Sequence, residues 1–151
     1  LMLHPSPLPK YRGGSPIQNQ IINGETLSAV TIIEMTDELD GGDILAQEEI
    51  SLEGKIEDIL KRITRVGSRL TKIIISGNII RRKQNENEST FYNRRKDQDN
   101  EITIQEILNK DSQYLYNKIR MLGDPYPFAY IKTADGKRLL IKEVVVEKDD
   151  D

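Results

Sequence analysis

Apolar positions along the chain fall into blocks of different period. Between Lys55 and Ser76, Ile56, Ile59, Leu60, Ile63, Val66, Leu70, Ile73 and Ile74 recur at helical spacing. That spacing makes one apolar stripe, with the arginines and lysines mostly opposite, and predicts a long amphipathic helix. Ser28 to Met35 is rich in β-branched residues (Val30, Thr31, Ile32, Ile33) and predicts a buried strand. Ile44 to Ile50 predicts a second strand, shorter and more polar. Thr36 to Asp43 lies between them, with Gly41-Gly42 at its centre, and reads as a turn.

The start of the chain is punctuated rather than periodic. Pro5, Pro7 and Pro9 alternate with Ser6 and Leu8, which predicts a stiff loop. Gly13-Gly14 then frees the backbone, and Ser15-Pro16 reads as an N-cap followed by a first-turn proline. The helix so predicted runs from Pro16 to Ile22, with Ile17 and Ile21 on one side, and Asn23-Gly24 ends it.

Gly77 to Glu101 is strongly polar and predicts an irregular connector, with a short extended piece at Thr90 to Tyr92. A second helix is expected after a cap at Asp111 or Ser112, with Leu115, Ile119 and Leu122 as its stripe and Gly123 as its stop. Phe128 to Thr133 and Arg138 to Glu147 flank Asp135-Gly136, a hairpin signal. Lys148 to Asp151 is expected to fray. The chain therefore divides into 1–80, a polar linker at 81–110, and a helix with hairpin at 111–148.

A length of 151 residues matches one domain. The hydrophobic fraction is 36% and the charged fraction 31%, so the core is thin. A net charge of −3 gives no whole-protein field for nucleic acid, so an RNA partner would need a local basic patch. Arg81-Arg82-Lys83 and Arg94-Arg95-Lys96 are the candidates, although interspersed acids favour a plain solvated loop. Without cysteine there are no disulfides and no thiolate metal sites. No apolar run is long enough to span a bilayer, and the default setting is the cytoplasm. The chain opens on Leu1 directly before a motif, which reads as a fragment lacking its upstream part; the alternative is a true start at Met2.

Two residues stand out chemically. His4 is the only histidine, and Asp40 sits on a glycine-rich turn. A histidine can shuttle a proton or donate to an oxyanion, and a carboxylate can orient its ring. The bland alternatives are a packed or exposed histidine and ordinary Asp-Gly-Gly turn chemistry.

Read together, Met2-Leu3-His4, Ser6-Pro7-Leu8-Pro9-Lys10-Tyr11-Arg12-Gly13 and Leu39-Asp40-Gly41-Gly42-Asp43-Ile44-Leu45 resemble the 10-formyltetrahydrofolate-dependent formyltransferases. The family pattern is Asn-x-His, then Ser-Leu-Leu-Pro-x-Tyr-Arg-Gly, then Leu-Asp-x-Gly-x-Ile-Leu. The likeness is close from Leu3 to about Leu45 and looser at Thr90 to Ile102 and Tyr114 to Val146. It implies an α/β fold: the C-terminal half of a Rossmann-like formyltransferase domain, followed by a linker, a helix and a small β hairpin. It implies catalytic His4 and Asp40, acting without a metal. It also implies a pocket for the co-substrate 10-formyltetrahydrofolate, formed by Ser6, Pro7, Leu8 and Pro9 with Thr36, Asp37, Glu38, Leu39 and Asp40.

Tyr11, Arg12, Gly13 and Gly14 are the expected substrate-binding corner, where Arg12 could meet an anionic group. The amine acceptor is methionyl-tRNA by the character of the start, with a nucleotide-linked amino sugar next by the character of the tail. The family asparagine falls on Met2, whose thioether is no strong donor. A strand at Ser28 to Met35 without its upstream parallel partners would leave an open edge, a route to a homodimer. The rival reading is a truncated, inactive domain serving as a structural or interaction module.

Overall fold

The computed structural model describes residues 1–77, 79 and 81–147. In chain order the elements are β1 (Met2–His4), β2 (Arg12–Gly13), α1 (Pro16–Ile22), β3 (Leu27–Ile33), β4 (Ile44–Ser51), α2 (Ile56–Ile75), β5 (Phe91–Tyr92), α3 (Ile104–Asn109), α4 (Ser112–Arg120), β6 (Ala129–Lys132) and β7 (Arg138–Ile141). The expected tail at Lys148 to Asp151 lies outside the described residues.

β1, β3 and β4 form one sheet in that order, with both pairings antiparallel. β3 is central and buried along its length except at Leu27. Burial on both faces explains its near-continuous apolar run. The expectation that this strand lies open is therefore corrected: β3 is paired on both sides, and β1 stands at the sheet edge. Three residues beside a proline-rich loop carry no readable period, so β1 was invisible in the sequence.

α2 packs across β3 and β4 through the stripe that its spacing predicts, with Ile56, Ile59, Ile63, Val66, Leu70 and Ile74 buried. Ile17 and Ile21 of α1 join the same core, as do Ile119, Met121 and Ala129 from the far end of the chain. No helix among the described residues is long and apolar enough to cross a membrane.

The polar segment after α2 is a strap rather than a free connector. β5 pairs in parallel with β2, and the Arg12 and Gly14 N–H groups donate to the Thr90 and Tyr92 carbonyls, each at 2.8 Å. Gly13 is required there. Its φ is 91°, and a Cβ would lie 2.4 Å from the Tyr92 carbonyl oxygen. The segment 81–110 also contains a helix, α3, begun by a reciprocal cap between Thr103 and Glu106. Glu106 further accepts from the buried ammonium of Lys118 at 2.5 Å, which pins α3 to α4.

Ser15 differs from its expected role. It sits in the left-handed region (φ 50°), and its hydroxyl accepts the Arg95 N–H at 3.1 Å instead of capping α1. Asp111 does cap α4, accepting the Tyr114 N–H at 2.7 Å.

Candidate active site

His4 ends β1, and Asp40 lies on the turn between β3 and β4. His4 is level with Thr31, two residues inside the end of β3, and the turn that follows β3 brings Asp40 to it. The two side chains are 6% and 7% exposed as residues, and His4 Nδ1 stands 3.6 Å from Asp40 Oδ2. That separation is an ion-pair distance, too long for a hydrogen bond.

The other ring nitrogen fixes the tautomer. His4 Nε2 lies 2.8 Å from the Tyr11 carbonyl oxygen. A carbonyl only accepts, so Nε2 carries the proton. In the neutral ring the lone pair is then on Nδ1, beside the carboxylate. A proton on Nδ1 would face Oδ2.

Asp40 is itself held on several sides. Its Oδ2 accepts the Gly13 N–H at 2.7 Å. Its φ is 52°, a left-handed conformation uncommon for a residue with a Cβ. Gln84 Nε2 donates to the Asp40 and Gly42 carbonyls, at 2.7 Å each. Gly42 has no room for a side chain, because a Cβ would meet the Glu34 carbonyl oxygen at 1.9 Å.

A cavity of about 260 Å³ opens beside Asp40, lined by Met2 and the run from Ile33 to Asp40; His4 lies behind Asp40 and does not line it. The expected cofactor residues Thr36, Asp37, Glu38, Leu39 and Asp40 all line it. Met2, at the position of the family asparagine, lines it too. The Ser6 to Pro9 segment does not. Ser6 is buried with its hydroxyl donating to the Lys10 carbonyl at 2.7 Å, and Leu8 packs with Ile33, Ile44 and Met2 behind the cavity wall. Pro7 and Pro9 are half-buried in the same turn.

The substrate corner divides. Arg12 is 0% exposed and its guanidinium is fully engaged. It donates to Glu86 at 2.6 and 2.9 Å, to Gln84 Oε1 at 2.8 and 3.1 Å, and to Glu38 at 3.4 Å. In the expected substrate corner, its donors are taken up by protein acceptors. The Arg12 hydrogen bonds in turn hold the Glu86 carboxyl below its usual range.

Tyr11 is buried and takes a left-handed φ of 62°. Its hydroxyl donates to Glu25 at 2.9 Å, and burial first, with Glu25 next to it, pushes its phenol up to about 12. Gly14 lines a separate cavity of about 390 Å³, together with Arg94, Arg95, Lys96 and Tyr126. Gln84, Thr90 and Tyr92 were missed as site residues. They lie in a polar stretch where the sequence signals only a short extended piece at Thr90 to Tyr92, and only the fold brings them to Asp40 and Tyr11.

With this geometry in view, the comparisons with known proteins define the class. The protein-family model described as Formyl transferase matches residues 1–75, and the chain belongs to the formyltransferase family. Its fold is that of the C-terminal half of the formyltransferase domain, continued by the strap, helices and hairpin.

The methionyl-tRNA formyltransferase of Natranaerobius thermophilus is 34% identical over 151 residues, covering 95% of this chain and 46% of that protein. The solved methionyl-tRNA formyltransferase from Clostridium thermocellum superposes with a TM-score of 0.79 at 29% identity, covering 95% of this chain and 67% of that one. WlaRD, a sugar 3N-formyltransferase solved in the presence of dTDP and 5-N-formyl-THF, superposes with a TM-score of 0.67 at 25% identity, covering 83% of this chain and 47% of that one. The chain spans about half the length of the curated relatives it matches.

Proposed function

We propose that this chain carries the proton-handling side of a formyl-transfer site and that its parent activity moves a formyl group to an amine. The co-substrate 10-formyltetrahydrofolate supplies the formyl group. The observation that carries the reading is the locked His4 ring, with Nε2–H on the Tyr11 carbonyl and Nδ1 beside the Oδ2 of Asp40, which itself lines a cavity. An amine attacking the formyl carbon forms a C–N bond and becomes cationic. His4 Nδ1 accepts the surplus proton, and Asp40 stabilises the resulting imidazolium. That proton is then available to the departing folate nitrogen as its bond to the formyl carbon breaks.

The cavity suits part of a folate. Ile33, Met35 and Leu39 offer apolar wall, and the turn offers main-chain partners. Its volume of about 260 Å³ falls just under the roughly 300–1,000 Å³ of ordinary ligand pockets, as one side of a cleft would. The cavity at Gly14, Arg94, Arg95 and Lys96 supports an acceptor that carries phosphate. Methionyl-tRNA is the preferred acceptor, on the 34% identity to the Natranaerobius enzyme, and a nucleotide-linked amino sugar is next.

The experiment is calorimetric titration with a folate analogue, followed by formyl-transfer assays on both acceptors. Binding that is lost in Asp40→Ala supports the reading. No binding at millimolar folate favours the second reading, a non-catalytic module. The specific observation behind that alternative is Met2, a thioether where the family pattern has an amide.

A further inference from the structure

We propose that Gln84 is a positioning residue for the His4–Asp40 pair, holding the Asp40 turn in register with the imidazole. The proposal rests on the formyl-transfer reading of that pair. Gln84 lies outside residues 1–75, the part that matches the family model. It touches neither His4 nor the cavity beside Asp40.

Its amide is read without ambiguity. Oε1 faces only donors, Arg12 Nε at 3.1 Å and Arg12 Nη2 at 2.8 Å. Nε2 faces only acceptors, the Asp40 and Gly42 carbonyls at 2.7 Å each. A flipped amide would oppose donor to donor and acceptor to acceptor. Gln84 is thus a two-ended clasp. One end is anchored on Arg12, which Glu86 fixes with two short bonds of 2.6 and 2.9 Å. The other end grips the main chain on both sides of Gly41.

That grip matters because Asp40 holds a left-handed conformation at φ 52°, and the two bonds fix the main chain on both sides of the turn that follows it. Arg12 is followed directly by Gly13, whose N–H binds Asp40 Oδ2 at 2.7 Å. The same oxygen faces His4 Nδ1 at 3.6 Å. Gln84 therefore sets the Asp40 backbone and Gly13 sets its carboxylate, and both are referred to one arginine. A carboxylate free to swing would leave Nδ1 without its counter-charge, while Nε2 stayed on Tyr11.

The chain contains one histidine, so nitrogen NMR of the imidazole reads His4 alone. Three variants of the full chain are compared at one pH. Asp40→Ala is expected to shift the Nδ1 resonance. Gln84→Glu keeps an acceptor for Arg12 but sets a carboxylate oxygen against the two carbonyls. It is expected to shift Nδ1 in the same direction and leave Nε2 in place. Gln98→Glu, the same charge change on an exposed glutamine, is expected to shift neither.

Nδ1 unmoved in Gln84→Glu, while Asp40→Ala moves it, overturns the positioning role. Nδ1 unmoved in Asp40→Ala overturns the His4–Asp40 pair itself, a separate failure. If thermal unfolding shows Gln84→Glu to be unfolded, Gln84→Met removes both donors without adding charge, and the same two outcomes decide.

Discussion

The ring of Tyr11 stacks on that of Tyr92, with centroids 4.8 Å apart and planes 12° from parallel. Tyr11 also presents the carbonyl that holds His4 Nε2, from a left-handed backbone that a non-glycine residue does not choose freely. The stack, the Tyr11 N–H donating to Thr90 Oγ1 at 2.8 Å, and the hydroxyl bond to Glu25 together keep it there. A residue from the strap thus steadies the acceptor that sets the tautomer of the histidine.

Replacing Tyr92 tests this coupling. Tyr92→Ala is expected to lower stability by about 0.5–1.5 kcal/mol through the lost stack, beyond the area it buries. It should also speed exchange of the His4 Nε2 proton. Thermal melts and hydrogen exchange measure the two effects, and a stability loss with unchanged exchange would uncouple Tyr92 from the histidine.

The phenol of Tyr11 makes a prediction at high pH. It is raised from 10.0 to about 12, with burial the largest cause. A group that holds its proton more tightly when folded stabilises the fold below its unfolded value and loses that contribution as pH rises through the folded one. Unfolding midpoints should therefore fall between pH 10 and about 12. In Tyr11→Phe that part of the decline should vanish, although the protein is weaker throughout.

Glu86 works at the other end of the scale. The Arg12 hydrogen bonds hold its carboxyl below the ordinary value of 4.5. Its contribution is present above that value and disappears as pH falls through the lower folded one. Because Glu86 is largely exposed, the effect is small and screened by salt. Glu86→Gln should flatten the acid limb of the melting profile; an unchanged limb would mean that Arg12 does not depend on this partner.

Gly13→Ala should be costly out of proportion to one methyl group. The substitution forces a Cβ onto the Tyr92 carbonyl oxygen at a φ of 91°. Strain alone is worth about 1–3 kcal/mol, and the β2–β5 pairing would be lost with it. Chemical denaturation reports the difference directly, and a loss below that range would show that the strap yields easily.

Met2 offers a gain-of-function test. It lines the cavity beside Asp40 with a thioether and no strong donor. Met2→Asn should tighten folate binding and raise formyl transfer by up to about 100-fold, the scale of one oxyanion donor. No change in either would show that residue 2 does not limit the site.

Local pattern carried far in this chain. The α2 stripe, the apolar run of β3, the cap at Asp111 and the turn at Asp135-Gly136 each depend on residues a few positions apart, so each was legible. The α2 boundaries moved only slightly, with Lys55 to Ser76 becoming Ile56–Ile75, whereas the last strand, expected over Arg138 to Glu147, is Arg138–Ile141 alone. α3 had its signal too, Thr103 and Glu106 at capping-box spacing. A six-residue helix has too few turns to show a stripe.

His4 and Asp40 were found by motif, but their meeting was decided by strand order. β1 lies beside β3 with His4 level with Thr31, and the β3–β4 turn brings Asp40, 36 positions away, to its ring. The fate of Arg12 was settled at longer range. Sequence showed a basic, flexible corner, whereas Gln84 and Glu86, 72 and 74 residues away, fill its donors and bury it. Short-range geometry is encoded by steric and hydrogen-bonding preferences of neighbouring residues. The partner of a buried charge depends on which distant segments the core draws together, and here the segment leading into β5 supplies it.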